Sequence, residues 1–502
     1  MKGLFMKISA AASFDDAQTS QTHVIGVFAA ADKGALRCSH DEFDGFLAKL
    51  AADDAFKGRK AQTYFVRALD DASPNLLFVG LGKPEEATGE TYRLSGANLT
   101  KKLEAEKVKA ASVDLASFVF KGVKVDFGAA ATALAEGMLL AQYRFDLYKT
   151  EKTKFSLAEV TFFAGDKKRL PAAKDAAEQA TATADAIQIA RDLSNEPAST
   201  LFPMELAARA TKLAKEYGIT CKVLDVKAMQ KEKMGGIIGV GQGSVNPPCC
   251  IVLEYKPKNA KKTVAFVGKA VTFDTGGISL KPGPGMEDMK HDMSGGADVL
   301  AATLLVAKRK IPVHLICIIP SAENMPDGNA IVPSCILTAR NGKTVEVQNT
   351  DAEGRLILMD ALDYAQDWNP DVIVDVATLT GAVVMALSSV AAGLMGNDDK
   401  AIAKWKAAAA ETEERYVELP IFPEYHDDMK SKIADLKNIG GDKGAGSQKA
   451  GAFLKEFIRK GNKWIHLDVA GTAWTSGKLA YDPSHGASGH TVRTLAQFAE
   501  IF

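Results

Sequence analysis

The chain has 502 residues, 47% of them apolar, with 61 Lys plus Arg against 62 Asp plus Glu. That length exceeds what one core usually organises, so two or three domains are expected, and the apolar fraction is ample for burying them. The balanced charge gives no basic footprint for nucleic acid, no stretch of eighteen uncharged apolar residues is present to span a membrane, and six cysteines without CxxC spacing read as reduced thiols of a cytoplasmic protein.

In chain order, MKGLFMKISAAASF carries a short apolar run that Lys7 interrupts, so no signal-peptide core is expected. THVIGVF (22–28) and NLLFVGLGK (75–83) read as strands, and DEFDGFLAKLAADDAF (41–56) and TYRLSGANLTKKLEAEK (91–107) as helices. VDFGAAATALAEGMLLAQYRF (125–145) continues the alternation of a small α/β domain. Gly80 and Gly82 lack the third glycine and downstream acid of a dinucleotide loop, so they read as an ordinary β-to-α turn. This part holds no metal cluster or nucleophile motif and suits a scaffold or assembly role. The alanine-rich AAKDAAEQATATADAIQIARDL (172–193) reads as a long linking helix, with the domain boundary expected near residue 165, dividing 1–165 from 166–502.

Beyond it, CKVLDV, CCIVLEY, KTVAFVGKAVTF, VHLICIIPSA, DVIVDVATLT and IHLDVA read as strands of one large sheet. MSGGADVLAATLLVAKR, EGRLILMDALDYAQD and QKAGAFLKEFIRKG read as its covering helices. In such a domain ligands bind beyond the carboxyl ends of the strands. Asp274, Asp292, Asp351 and Glu353 each stand where a strand-like segment meets a helix-like one. Brought to one sheet edge, they would repel and raise one another's pKa values, and divalent cations resolve that repulsion. Two such ions sharing carboxylates activate a water and polarise a carbonyl; Lys281 on the LKPGPG loop is placed to steady the resulting oxyanion.

Two local readings compete with this. Asp292 precedes a helix and fits an N-cap, and Thr350 with Glu353 matches a capping box before Leu356, Met359 and Leu362 at helical spacing. Arg355 does not fit the second: a cation in a first helical turn opposes the dipole, so it needs solvent or an anion. There is no HExxH and no GxSxG, and NGKT (341–344) reads as a hairpin turn rather than a phosphate loop. The residues by themselves leave a dinuclear phosphoesterase open.

NTDAEGRL (349–356), VGKAVTFDTGGISLKPG (267–283) and MKHDMSGGA (289–297) resemble the leucyl, or cytosol, aminopeptidase family of dinuclear metallopeptidases. The likeness runs on through DLSNEP, GVGQGS, DVATLTGA, ADLKNIGG, HLDVAGTAW and VRTLAQF, covering about residues 190 to 498 in order. It implies a smaller N-terminal α/β domain joined by a long helix to a catalytic α/β domain with a mixed central sheet. It also implies an aminopeptidase releasing leucine and other apolar residues from peptides with free N-termini, in a cytoplasmic homohexamer. By the resemblance, Lys269, Asp274, Asp292 and Glu353 bind a tight metal, and Asp274, Asp351 and Glu353 a more exchangeable one. The two divalent ions per subunit are Zn²⁺ or Mn²⁺, with Mg²⁺ or Co²⁺ as substitutes. Lys281 is the implied electrophile and Arg355 the holder of a bicarbonate acting as general base. Met289, Asn349, Thr378, Leu379, Gly381 and Ala470 fall where the family lines its substrate pockets. His291, beside Asp292, stands where a nonpolar or aromatic residue is expected, and Gly296 and Asp298 depart from the usual small-residue run.

Overall fold

A computed structural model describes residues 6–13, 20–29, 35–70, 73–441, 443–475 and 477–502. They fall into two compact units: Met1–Asp185 with Ser476–Ser484, and Ala186–Thr475 with His485–Phe502. Both are α/β, and the larger carries a mixed sheet, the class expected from the sequence.

In the first unit the strands are β1 (Lys7–Ala11), β2 (Thr22–Ala29), β3 (Leu36–Arg37), β4 (Thr63–Val66), β5 (Asn75–Gly80), β6 (Ala110–Asp114) and β7 (Glu159–Phe163). Its helices are α1 (Asp44–Ala52), α2 (Gly89–Ala105) and α3 (Phe127–Leu140); α4 (Leu170–Asn195) runs across the division. Among the described residues β1, β7, β6, β2 and β5 lie in that order, all parallel, with β4 antiparallel beyond β5 and β3 antiparallel to β2. Local chemistry starts the helices: Thr88 and Thr91 form a capping box before α2, and Asp126 accepts from Ala129 N–H ahead of α3. These two helices approach closely at glycine. A Cβ on Gly137 would lie 1.9 Å from Arg93 O, and one on Gly96 2.1 Å from Leu134 O. Arg93, buried there, pairs with Glu90 (2.6 Å) and Glu136 (3.2 Å), and Tyr481 donates to Glu90 (2.9 Å).

The second unit has β8 (Thr220–Leu224), β9 (Cys249–Tyr255), β10 (Thr263–Gly268), β11 (Ala270–Asp274), β12 (His314–Asn324), β13 (Ile336–Thr338), β14 (Thr344–Glu346), β15 (Val372–Ala377), β16 (Ala392–Gly396), β17 (Tyr416–Glu418), β18 (Leu436–Lys437) and β19 (Trp464–Asp468). Its helices are α5 (Pro203–Glu216), α6 (Val226–Lys231), α7 (Gly235–Gly241), α8 (Ser294–Lys308), α9 (Gly354–Ala365), α10 (Gly381–Leu387), α11 (Asp399–Thr412), α12 (Pro423–Asp428), α13 (Gly446–Lys455) and α14 (Val492–Ile501). The sheet order is β17-β16-β19-β15-β10-β12-β9-β8. Its centre, β19-β15-β10-β12, is parallel; β16 on one side and β9 on the other run antiparallel to it. β13 and β14 form a hairpin around 339–343, as NGKT suggested, and β18 joins β14 in parallel.

β12 is long enough to pair twice, with β10 through residues 314–318 and with β11 through 321–324. Lys269 therefore sits at a step between two strands where the sequence reads as one. α8 packs against one face of β10, β12 and β15, while α9 lies on the other with α7 and α13, over a core that includes Ala265, Val267, Leu356 and Phe453. Gly296 passes so near the sheet that a Cβ would come within 2.7 Å of Ala270 Cβ, which accounts for that departure. Because the central strands are parallel, Asp274, Asn324, Ala377 and Asp468 all end at one edge.

Candidate metal centre

Beyond that edge four acids and two lysines interlock. Asp274 closes β11; its Oδ1 accepts from Gly276 N–H (2.9 Å) and from Asn324 Nδ2 (2.8 Å), and its Oδ2 lies 2.8 Å from Lys281 Nζ. Gly276 and Gly277 carry the loop through positive φ of 87° and 64°, a region costly for residues with a Cβ. The same Lys281 ammonium pairs with Asp351. Lys269 Nζ lies 2.8 Å from Asp292 Oδ2 and 2.8 Å from Glu353 Oε1, and it donates to Thr378 O (2.9 Å). Asp292 Oδ1 accepts from the Thr378 hydroxyl (2.7 Å).

Neither local cap reading holds: the two carboxylates have charge-assisted partners, which outweigh a backbone amide, and Thr350 bonds elsewhere. Asp292 makes no cap bond to α8, whose first turn follows Met293, and is spent on Lys269 and Thr378. Glu353 occupies the N-cap position of α9 without a side-chain cap bond. Thr350 instead ties two loops together, donating to Gly276 O (2.6 Å) and accepting from Ser279 N–H (2.8 Å).

The electrostatics are those of a site crowded with charge. Burial, then the neighbouring Glu353, pushes the Asp274 carboxyl up; burial pushes Asp292 well above the carboxylate range and raises Asp351. Burial favours neutral Lys269, but Asp292, Glu353 and Asp274 together hold its ammonium well above the ordinary value. Arg355 is 7% exposed; burial lowers its pKa to about 10. Its Nη1 donates to Asn438 O (2.8 Å), while its buried Nε has no partner among the described residues. Solvent is thus not what satisfies this arginine.

Two of the expected pocket positions, Leu379 and Ala470, bond to Asp468, a buried acid that charge spacing alone does not single out. Its Oδ1 accepts from the amides of Leu379 (3.1 Å), Thr380 (3.4 Å) and Ala470 (3.3 Å), and its Oδ2 from the Thr380 hydroxyl (2.6 Å). Thr380 in turn caps α10, which Gly381 opens. Asn349 Oδ1 accepts from Asp351 N–H (2.8 Å), and Met289 O accepts from Asp292 N–H (3.3 Å). His291 turns away from the acids: its ring lies 5.0 Å from that of Trp474 and its Nδ1 meets Asp288 O. Asn324, Asn438 and Asp468 were not among the candidates read from sequence.

The donor set fits a divalent cation. One oxygen from each of Asp274, Asp351 and Glu353 lies within 4.8 Å of the others, close to the span of a first coordination sphere built at about 2.1 Å. Asp292 Oδ2 and Asp351 Oδ1 are buried and satisfied only by ion pairing, without hydrogen-bond geometry. Hard oxygen ligands of this kind suit Zn²⁺, Mn²⁺ or Mg²⁺.

The profile of the cytosol aminopeptidase family catalytic domain matches residues 188–496, and that of the family's N-terminal domain matches residues 24–152. The chain belongs to the cytosol aminopeptidase family. A probable cytosol aminopeptidase of Geobacter sp. (strain M21) is 41% identical over 460 residues, 90% of this chain and 91% of that protein. One of Aquifex aeolicus (strain VF5) is 40% identical over 460 residues, covering 90% and 89%. Among solved structures, the bottromycin maturation enzyme BotP in complex with Mn is 33% identical with a TM-score of 0.85, over 96% of this chain and 99% of that one. The activity of the chain is accordingly metal-assisted hydrolysis that removes N-terminal residues, with the acidic cluster as the candidate metal-binding group.

Proposed function

We propose that the chain releases leucine and other apolar residues from the free N-termini of peptides at a pair of divalent cations, in a cytoplasmic homohexamer. The observation that carries this reading is the buried lattice of Asp274, Asp292, Asp351 and Glu353 held apart by Lys269 and Lys281 at the edge of a parallel sheet. In it Lys269, Asp274, Asp292 and Glu353 would hold the tighter ion, Lys269 as the neutral amine once the cation displaces its proton, and Asp274, Asp351 and Glu353 would hold the more exchangeable one. Zn²⁺ or Mn²⁺ is the first choice, with Mg²⁺ or Co²⁺ as substitutes; BotP's solution in complex with Mn supports Mn²⁺. Bound there, such ions supply Lewis acidity toward the scissile carbonyl, a hydroxide-like nucleophile at neutral pH and an anchor for the free amine.

The protein's own groups do the rest. Lys281, the more exposed of the two lysines, extends its ammonium from a glycine-shaped loop to the carbonyl oxygen as negative charge develops. Arg355 would offer its unpaired Nε to a small anion such as bicarbonate, which would supply general-base chemistry beside the scissile bond. Asp468, by holding the amides of Leu379, Thr380 and Ala470, sets the register of Leu379, of Gly381 next to Thr380, and of Ala470, so that with Met289, Asn349 and Thr378 they orient the first side chain of the peptide. Residues 1–165 serve as scaffold or assembly domain, and 166–502 as linking helix plus catalytic domain; the family resemblance supports both this division and the hexamer.

The test compares a leucyl peptide with its N-acetylated form while metal is quantified on the same preparation. Cleavage of the free peptide only, with metal bound and activity lost to chelation, is the expected result. Equal kcat/KM for the two forms would make this an endopeptidase or another hydrolase.

A further inference from the structure

Asn438 lies one residue beyond β18, fully buried. The parallel pairing of β14 with β18, Glu346 opposite Lys437, sends the chain leaving β14 past Asn438 and into the segment Asn349–Arg355. Its backbone N–H donates to Glu346 O (3.0 Å) and its carbonyl accepts from Arg355 Nη1 (2.8 Å). Its side chain spends all four hydrogen-bonding positions of a carboxamide on that same segment. Oδ1 accepts from Gln348 N–H (2.8 Å) and Asn349 N–H (3.2 Å), and Nδ2 donates to Asn349 O (2.6 Å) and Ala352 O (3.3 Å).

The two residues flanking Ala352 are Asp351 and Glu353. Glu353 has a second anchor, since Lys269 holds its carboxylate, and Asp292 is held by Lys269 and Thr378. Among the described residues the Asp351 carboxylate is met by Lys281 alone, and its side chain is 33% exposed. The direction in which Asp351 points therefore depends mainly on the backbone that carries it, and Asn438 grips that backbone on both sides.

We propose that Asn438 is a positioning residue of the metal centre: by fixing the carbonyls of Asn349 and Ala352 it sets the placement of Asp351 against Asp274 and Glu353, and with it the affinity for the more exchangeable cation. This rests on the two-ion reading above. It differs from a fastening role at the β14–β18 corner, which would cost stability and leave metal binding alone. Partners of this kind, one bond removed from a metal, usually govern affinity by about 10- to 100-fold.

The experiment titrates Mn²⁺ into metal-stripped full-length protein by calorimetry, with circular dichroism and melting of the metal-free forms alongside. Asn438→Leu keeps the branched skeleton and removes all four side-chain bonds; Asn438→Ala serves if the bulkier leucine does not fold. Asp435→Ala is the control, because Asp435 Oδ2 accepts from Thr344 N–H (2.8 Å) and the Thr344 hydroxyl (2.9 Å) at the same corner without touching the metal-binding segment. The expected result is a weaker second Mn²⁺ site in the Asn438 variant, by about 10- to 100-fold, with the first site within a few fold of wild type and Asp435→Ala unchanged in both. Two wild-type affinities in a folded Asn438 variant that merely melts earlier, as the control does, would overturn the proposal. Failure of the unaltered protein to bind Mn²⁺ would instead overturn the metal reading on which it stands.

Discussion

Glu353 lies between two roles that geometry separates. As a helix start it would need only an oxygen; as a shared ligand it needs its charge. Replacing it with Gln keeps the volume, so the fold should stay while at least one ion and most of kcat are lost, measured by elemental analysis and steady-state rates. Normal turnover with two ions bound would return Glu353 to the helix. Arg355→Ala removes no ligand, so both ions should remain while turnover slows by about 10- to 1000-fold, with partial recovery as bicarbonate is titrated into carbonate-depleted buffer. Lys281→Ala should show no recovery, since an anion cannot replace a cation. These residues were legible because charge between apolar runs at strand ends is anomalous wherever a core must form. Asn324 and Asn438 were not, because a neutral amide in a loop looks like any turn residue until its partners are seen. The false capping box had the opposite origin: the pattern of Thr350 and Glu353 is local, whereas Lys269 lies more than eighty positions away.

The element that tests the electrostatics away from the site is α14. Glu414 reaches its first turn from outside, accepting from the amides of Thr491 and Thr494 (3.2 Å each) and the Thr494 hydroxyl (2.6 Å), with Arg493 at 3.3 Å. Burial and the facing Asp298 and Tyr416 work against its charge, yet Arg493, His490 and these donors hold its carboxyl below the ordinary value. A carboxyl depressed on folding stabilises above its unfolded pKa and loses that contribution as pH falls through its folded one. Glu414→Gln should thus cost about 2 to 4 kcal/mol at neutral pH, and its gap from wild type in denaturant melts should be constant above about pH 5 and narrow below about 4.3. A gap independent of pH would mean that the donors, not the charge, dock α14. Elements like β9 and β15 were legible as apolar runs interrupted by a single acid each, Glu254 and Asp375. β16, spelled AGLMG, carries no β-branched side chain, and the two- and three-residue strands β13, β14 and β18 are too short for any period to show. β1 escaped notice because the same residues were weighed as a targeting signal.

Two cores in one chain give the whole molecule two ways to unfold, and calorimetry should resolve two components. Gly137→Ala forces a methyl against Arg93 O in the smaller core, a net loss of roughly 1 to 2 kcal/mol after about 1 kcal/mol of helix propensity is credited. One component should move down by a few degrees while the other stays; a single transition that shifts as a piece would mean the cores melt together. The same division has a consequence in time. The first unit is completed by residues as late as Ser484, roughly 300 positions after Asp185, and at a synthesis rate of about 5 to 20 residues per second they emerge some 15 to 60 s later. On the ribosome the first core thus waits for most of the second to be made before Tyr481 reaches Glu90, and the unit begun first is completed only shortly before the other.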